Sequence, residues 1–535
     1  MTTITNYFSR NKSSMDTILV SLLLGALTLL LGLELFFALS WRMEHDVPNL
    51  HYVAFLIDRF DYVPYRDIFE TNLPGIFLLH LAIGKLFGYG DTAFRWLDTF
   101  SLFLLSAVTW GILRRFGARV AWAAIVLFGL SYLQRGPDMS LQRDYVGLLA
   151  VATAVFLTIQ PRSKHKNLRL VLIGLLFGLA TAVKPHLAIG LPFILLYLLW
   201  MEYTAAANRR WANIFQPALK IGLLAIIGFI VPLALSFLWV WQLGALPYFI
   251  DLFSTYLPLY LQLDINLQIV QGFARVAYLL RNFQLLGGYG LWLVPAVLGL
   301  YLTVFRTKLP SATKQTALLL AALALTYSFY PVLSGQFFPY HWIPFLYFVI
   351  LLAALVLVPL PSEIHKNFER LFPVLVLIGV ILFSVRTAPN FRKQLLGKPP
   401  TPPKNGLVDE IATAIKDQNL APGETVQPLD WTGGTIQALL IAEAPLATPY
   451  IYDYYFYHHI SEPTIQALRA DFLVALAAEM PRLIVENQNK ARVSGPDTTT
   501  EFPALRQFMN TNYELVYETP DFQIYQLKKF APQEK

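Results

Sequence analysis

Between Glu44 and Gly75 the sequence sets six carboxylates, Glu44, Asp46, Asp58, Asp61, Asp67 and Glu70, among apolar and aromatic residues, with Arg59 and Arg66 interspersed. A carboxylate beside an apolar surface loses hydration, a cost that is sustained where the charge is used. The chemistry open to such a group is proton abstraction from a poor nucleophile such as a hydroxyl. The alternative is a solvated loop whose charges only keep it wet. A second anomaly is Gly178-Leu-Ala-Thr-Ala-Val-Lys184-Pro-His186, which puts an ammonium near the end of an apolar run, where an unpaired cation is expensive. Gln142-Arg143-Asp144 opens another apolar run, and Phe338-Pro-Tyr-His341-Trp-Ile-Pro344 a third. With no cysteine in the chain, thiol catalysis, disulfides and cysteine metal sites are excluded.

The elements that must position these residues follow from composition. Of 535 residues, 56% are hydrophobic and 14% charged, and mean hydropathy is +0.50; a soluble domain carries roughly 25% charged residues. Long apolar runs cover 17–40 and segments near 96–112, 120–134, 144–160, 170–186, 187–201, 221–243, 286–305, 315–333, 342–360 and 371–386. That makes about eleven spans, each long enough or nearly so for a hydrocarbon core of ~30 Å. The first run exceeds the roughly 7–15 residues of a signal-peptide core, so it reads as a retained span. With the N-terminus cytoplasmic, Arg10, Lys12 and the loops at 114–119, 162–169, 209–220, 306–314 and 366–370 share one side. They hold about 17 Lys+Arg against about 4 Asp+Glu, the bias the positive-inside rule expects. The net charge of +7 thus reflects topology and calls for no nucleic-acid partner.

The expected fold class is an α-helical polytopic membrane protein carrying a C-terminal soluble α/β domain. Residues 1–390 form the transmembrane part, with a long first extracytoplasmic loop at 41–95; 391–404 form a proline-rich linker; and 405–535 form the extracytoplasmic domain. In the first loop, Pro48–Phe60 reads as a helix lying on the membrane, and Ile76–Phe87, too short to cross, as interfacial or re-entrant. In the tail, helices are expected near 406–418, 435–443, 462–479 and 501–510, strands at 425–428 and 482–486, and a hairpin-like pair at 513–517 and 522–526.

The succession His45-Asp46, a helix, Val63-Pro-Tyr-Arg-Asp-Ile-Phe69, Asn72-Leu-Pro-Gly75 and Phe87-Gly88 resembles the GT-C membrane glycosyltransferases. The branch it is most similar to is glycosyltransferase family 39, which is related to protein mannosyltransferases and the aminoarabinose transferase of lipid A. The 142–144, 178–186 and 338–344 segments agree, and the resemblance covers about residues 15–390. It implies a transferase that moves a sugar, with inversion, from a polyprenyl-phosphate donor to a lipid, polysaccharide or protein acceptor on the extracytoplasmic side of a plasma or inner membrane. It places the proton-accepting carboxylate at Asp46. A transporter or flippase of a lipid-linked saccharide is the rival; it needs no acidic first loop and often shows internal repeats, which this sequence lacks.

The leaving phosphate calls for cations held in place. Lys184 is the candidate, against a lysine that snorkels to headgroups. His186 and His341 are further donor-phosphate candidates, against interfacial packing residues. Arg143 and Asp144 read as a local ion pair or as part of the acceptor entrance. Glu44, Tyr65, Arg66, Asp67 and Glu70 are supporting residues, the last three holding the loop so that Asp46 points inward. Arg275 and Arg281, in the aromatic-rich second outer loop at about 244–284, read as a solvated loop face, against a reach toward the donor. His458-His459 has no recognised ligand spacing, so no metal or other cofactor is assigned.

Overall fold

Helices form wherever the sequence runs apolar. The computed structural model describes residues 15–161, 165–205, 215–361, 367–398, 407–431, 433–488 and 493–528. Arg10, Lys12, Arg162, Lys164, Arg209, Arg210 and Lys366 of the charge argument lie outside them, as do the linker prolines. In chain order the helices are α1 (Met15–Ala38), α2 (Val47–Phe60), α3 (Pro74–Phe87), α4 (Asp91–Leu113), α5 (Ala118–Leu133), α6 (Arg143–Thr158), α7 (Lys166–Val183), α8 (Leu191–Ala205) and α9 (Phe215–Gln242). There follow α10 (Leu246–Thr255), α11 (Gly272–Leu285), α12 (Leu293–Tyr301), α13 (Ser311–Ser328), α14 (Ile343–Ala354), α15 (Asn367–Ser384) and α16 (Pro389–Leu395).

Every expected apolar run contains a helix, but the number of spans is smaller than expected. Among the described residues seven helices are long and apolar enough to cross a membrane, or nine if two sharply bent pairs, Gly272–Arg306 and Glu369–Leu395, each count as one. The shortfall lies in α5 and α6, each of 16 residues. At 1.5 Å per residue they reach only ~24 Å. α7 and α9 pack closely because Gly174 and Gly178, one turn apart, present no side chain there; a Cβ on Gly174 would run into the Ala225 carbonyl oxygen. All twelve residues of α14 are buried, so this helix, apolar on every side, is the centre of the bundle.

α2 does not lie on a surface. Residues Val47–Leu56 are all buried, because α3 packs on one side and the tail covers the other. The tail comprises α17 (Val408–Asp417), β1 (Val426–Leu429), α18 (Thr435–Ala442), α19 (Pro463–Glu479), β2 (Leu483–Asn487), α20 (Pro503–Asn512), β3 (Tyr513–Glu518) and β4 (Phe522–Leu527). The strands make one sheet in the order β1-β2-β4-β3, with β1 parallel to β2 and the other pairs antiparallel. β1 and β2 are wholly buried. α18 sits against α2, where Tyr52 Oη donates to the Ala444 carbonyl at 2.7 Å, and the Phe69 N–H donates to the Pro449 carbonyl at 2.7 Å. Residues 391–395 of the expected linker continue as part of α16.

Candidate active site

Asp46 is the N-cap residue of α2, yet its side chain makes no capping bond. An aspartate at that position ordinarily accepts from the first-turn N–H groups. Here the carboxylate is drawn elsewhere: Oδ2 pairs with Arg143 and accepts from Tyr340 Oη at 3.0 Å, while Oδ1 lies 3.0 Å from His45 Nδ1. The side chain stays 27% exposed, so it is reachable. His45 holds φ +61°, a left-handed conformation uncommon for a residue with a side chain. Burial works to raise the Asp46 pKa, but the charges of His45, Arg143 and Lys184 outweigh it and hold the carboxyl well below its usual range.

Arg143 opens α6 and is held there by its neighbours. Gln142 donates to the Asp138 carbonyl at 3.0 Å and reaches the Glu44 carbonyl at 3.4 Å, tying the start of α6 to the first loop. Buried Asp98 accepts from Tyr132 Oη at 2.5 Å and from the Leu141 N–H at 3.2 Å, fixing the turn just before. Arg143 and Asp144 therefore do not form the expected local pair. Arg143 goes to Asp46, 97 residues away, and Asp144 accepts from Tyr330 Oη. The i, i+1 geometry at a helix start points the two side chains apart.

Lys184 follows α7 in an extended conformation, φ −148° and ψ 109°. It makes no ion pair within 4.0 Å among the described residues, and its charge bears on both Asp46 and Asp144. His186 lies edge-on to Tyr330, ring centroids 5.7 Å apart. His341, buried, lies 2.8 Å from Ser334 Oγ through Nδ1 and feels the charges of Lys184 and Arg143. Asp46, Arg143, Asp144, Lys184, His186 and His341 thus share one polar centre, delivered by the start of α2, the start of α6, the end of α7 and the start of α14.

The remaining first-loop residues stand further off. Glu70 is buried and accepts from Asn49 and Asn72, each at 2.6 Å. Burial is the larger influence on it and raises its pKa, opposed by the Asn49 bond. Arg66 and Asp67 pair with each other at 2.8 Å, and Asp67 also accepts from the Val63 N–H, which closes the turn. Tyr65, at φ +68°, donates to the Asn72 carbonyl at 2.7 Å and packs on Phe77 and Phe249. Glu44 is buried directly before the His45 turn. Arg275 is not merely a solvated face: it donates to the Leu261 carbonyl at 2.9 Å and lies over Tyr278. His458 meets Tyr256 Oη at 3.0 Å and His459 at 2.8 Å; among the described residues no three His, Asp or Glu side chains cluster as metal ligands.

Four contributors were not singled out from sequence. Tyr340 sat unremarked beside His341, and Asn49 lies one turn after Asp46. Tyr260, between α10 and α11, lies 3.4 Å from Gln336 and feels the Asp46 charge. Tyr452, in the tail, feels the charges of Glu70, Asp46 and Arg143; nothing in its local sequence signals this.

Residues 73–234 match the family described as dolichyl-phosphate-mannose-protein mannosyltransferase. No curated protein matches the sequence. Among solved structures, ArnT from Cupriavidus metallidurans in the apo state matches at 16% identity and TM-score 0.57, over 94% of this chain and 97% of that one. ArnT from the same organism bound to undecaprenyl phosphate matches at 14% identity and TM-score 0.57, over 95% and 99%. The oligosaccharyltransferase AglB from Archaeoglobus fulgidus is more distant, at 12% identity and TM-score 0.47 over 86% and 69%. With a family segment running from α3 into α9, and the fold of ArnT along nearly its whole length, the chain is similar to membrane glycosyltransferases of the protein-mannosyltransferase and ArnT kind.

Proposed function

We propose that the enzyme moves a sugar from a polyprenyl-phosphate donor to an acceptor hydroxyl at the extracytoplasmic face, with inversion and with Asp46 as general base. The observation that carries this reading is the convergence of one reachable carboxylate with Arg143 and Lys184 at a single centre. In the step, the acceptor oxygen attacks the anomeric carbon as the bond from that carbon to the phosphate oxygen breaks. The bonding pair leaves with the polyprenyl phosphate, and the hydroxyl proton goes to Asp46. Oδ1, with His45 as its one partner among the described residues, keeps a lone pair for it.

A carboxylate tied to a guanidinium is a weak base. Donor binding relieves this, because the phosphate competes for Arg143 and joins Lys184, and the freed Asp46 gains basicity as the leaving group gains its cations. His186 and His341 border that phosphate position. Glu70 offers a second reading as base, since its pKa is raised where that of Asp46 is lowered. Both its oxygens are already occupied by asparagine amides, which favours a supporting role. The tail, as a separate domain from 405, walls the acceptor side through Tyr452. The basic loops face the cytoplasm in this orientation.

The test is an assay of the purified chain in lipid with labelled polyprenyl-phosphate sugars and a membrane extract as acceptor source. Label should move to an extract component from the lipid-phosphate donor and not from nucleotide sugars; transfer from nucleotide sugars alone would overturn the donor assignment.

A further inference from the structure

At the opposite end of α6 and α7 from Asp46 lies a cavity of about 690 Å³. Arg114, Arg115, Lys166 and Arg169 line it with a single carboxylate, Glu202, which pairs with Lys166 at 2.5 Å. Arg115 donates through Nη1 to the Ile159 carbonyl at 3.1 Å, and Arg169 through Nη1 to the Gln160 and Pro161 carbonyls at 3.0 Å each. Those carbonyls lie at and just past the C-cap of α6, and holding them is a structural use of a cation. It occupies one corner of each guanidinium. The Nε of both arginines is buried without a hydrogen-bond partner, and neither makes an ion pair with a carboxylate among the described residues. Nη2 of each arginine, without a hydrogen bond among the described residues, is left to donate to a phosphate oxygen. Much of the remaining wall is apolar, through Leu170, Leu198, Met201 and Ile221.

The positive-inside bias accounts for cations at this end, but not for a cavity or for unpartnered guanidinium nitrogens. We infer that the cavity binds the phosphate headgroup of an anionic membrane lipid from the leaflet opposite the Asp46 site. The Nη2 groups hold the phosphate oxygens, and the apolar wall takes the top of an acyl chain. A soluble phosphate would engage the same cations but leave that wall uncovered.

The full-length protein in phosphatidylcholine nanodiscs is titrated with phosphatidylglycerol and, separately, with inorganic phosphate. Thermal midpoint and lipid retained in native mass spectrometry are followed. Phosphatidylglycerol should raise the midpoint and one molecule should stay bound, with retention ~10- to 30-fold lower in Arg115→Gln/Arg169→Gln. Met201→Trp, which fills the apolar wall and keeps every charge, should also lose the lipid, and it covers the case in which the double variant fails to fold. A wild type indifferent to phosphatidylglycerol, equal retention by Met201→Trp, or an equal response to inorganic phosphate would each overturn the inference.

Discussion

The two ends of α6 and α7 keep their cations in different company. At one end Arg143 and Lys184 stand among Asp46, Asp144, Tyr330 and Tyr340, so charges of both signs share one centre. At the other, the hydrogen bonds that Arg115 and Arg169 make among the described residues go to carbonyl oxygens, and the one carboxylate lining the cavity, Glu202, pairs with Lys166. Mixed charge in a partly buried site lets a proton and an electron pair move in opposite directions during one step. Charge of one sign holds an anion and does no chemistry. On the two proposals made above, the same pair of helices carries two phosphate-attracting ends, with only one of them reactive.

The comparison can be broken most forcefully at Lys184. Replacing it by Gln should cost ~10²–10³ in transfer rate, the scale of removing one preorganised donor from a developing anion; a loss within about twofold would make it a snorkelling residue after all. Arg143→Gln should cost ~10- to 100-fold by the same kind of loss, and it also changes the pH profile. Without the guanidinium, burial at Asp46 is opposed only by His45 and Lys184, its pKa rises, and the acid limb of the kcat/KM profile, which reports the donor-free enzyme, moves to higher pH. By the same linkage, the stability that Asp46 contributes above its unfolded pKa of about 3.9, lost as pH falls through its lowered folded value, should shrink in this variant. An unshifted acid limb would separate Asp46 from the reaction. Tyr340→Phe removes one hydrogen bond to Asp46 and should cost roughly 2- to 10-fold in rate. Arg169→Gln at the other end should lower the thermal midpoint through the carbonyls it holds just after α6, a loss of about 0.3–1 kcal/mol. If it instead depressed transfer as deeply as Lys184→Gln, the two ends would not differ in kind.

Much of this was legible in the sequence, for definite reasons. Desolvation makes Lys184 conspicuous, because a charged group at an apolar boundary needs partners, whereas Asp46 stood out among the six first-loop carboxylates only through the family resemblance. The tail strands were readable from period and flanking turns, and they appear within a residue or two of the expected bounds. Partners across the chain were not readable. Arg143 was read against its neighbour Asp144, but its carboxylate is Asp46, brought in by the packing of the first loop onto the bundle. α2 was read as surface-bound because its sequence cannot reveal that α18, almost 400 residues later, covers it. The span count erred because α5 and α6 are apolar enough to look like spans and too short to be full ones.

The most direct test is single-turnover transfer with donor prebound, comparing wild type with Asp46→Asn. Asparagine keeps the shape, cannot accept the proton, and leaves Arg143 free for the phosphate, so donor affinity should hold or tighten while the transfer rate falls ~10²–10⁴-fold. Transfer at the wild-type rate with donor bound would contradict the assignment of Asp46 as the base.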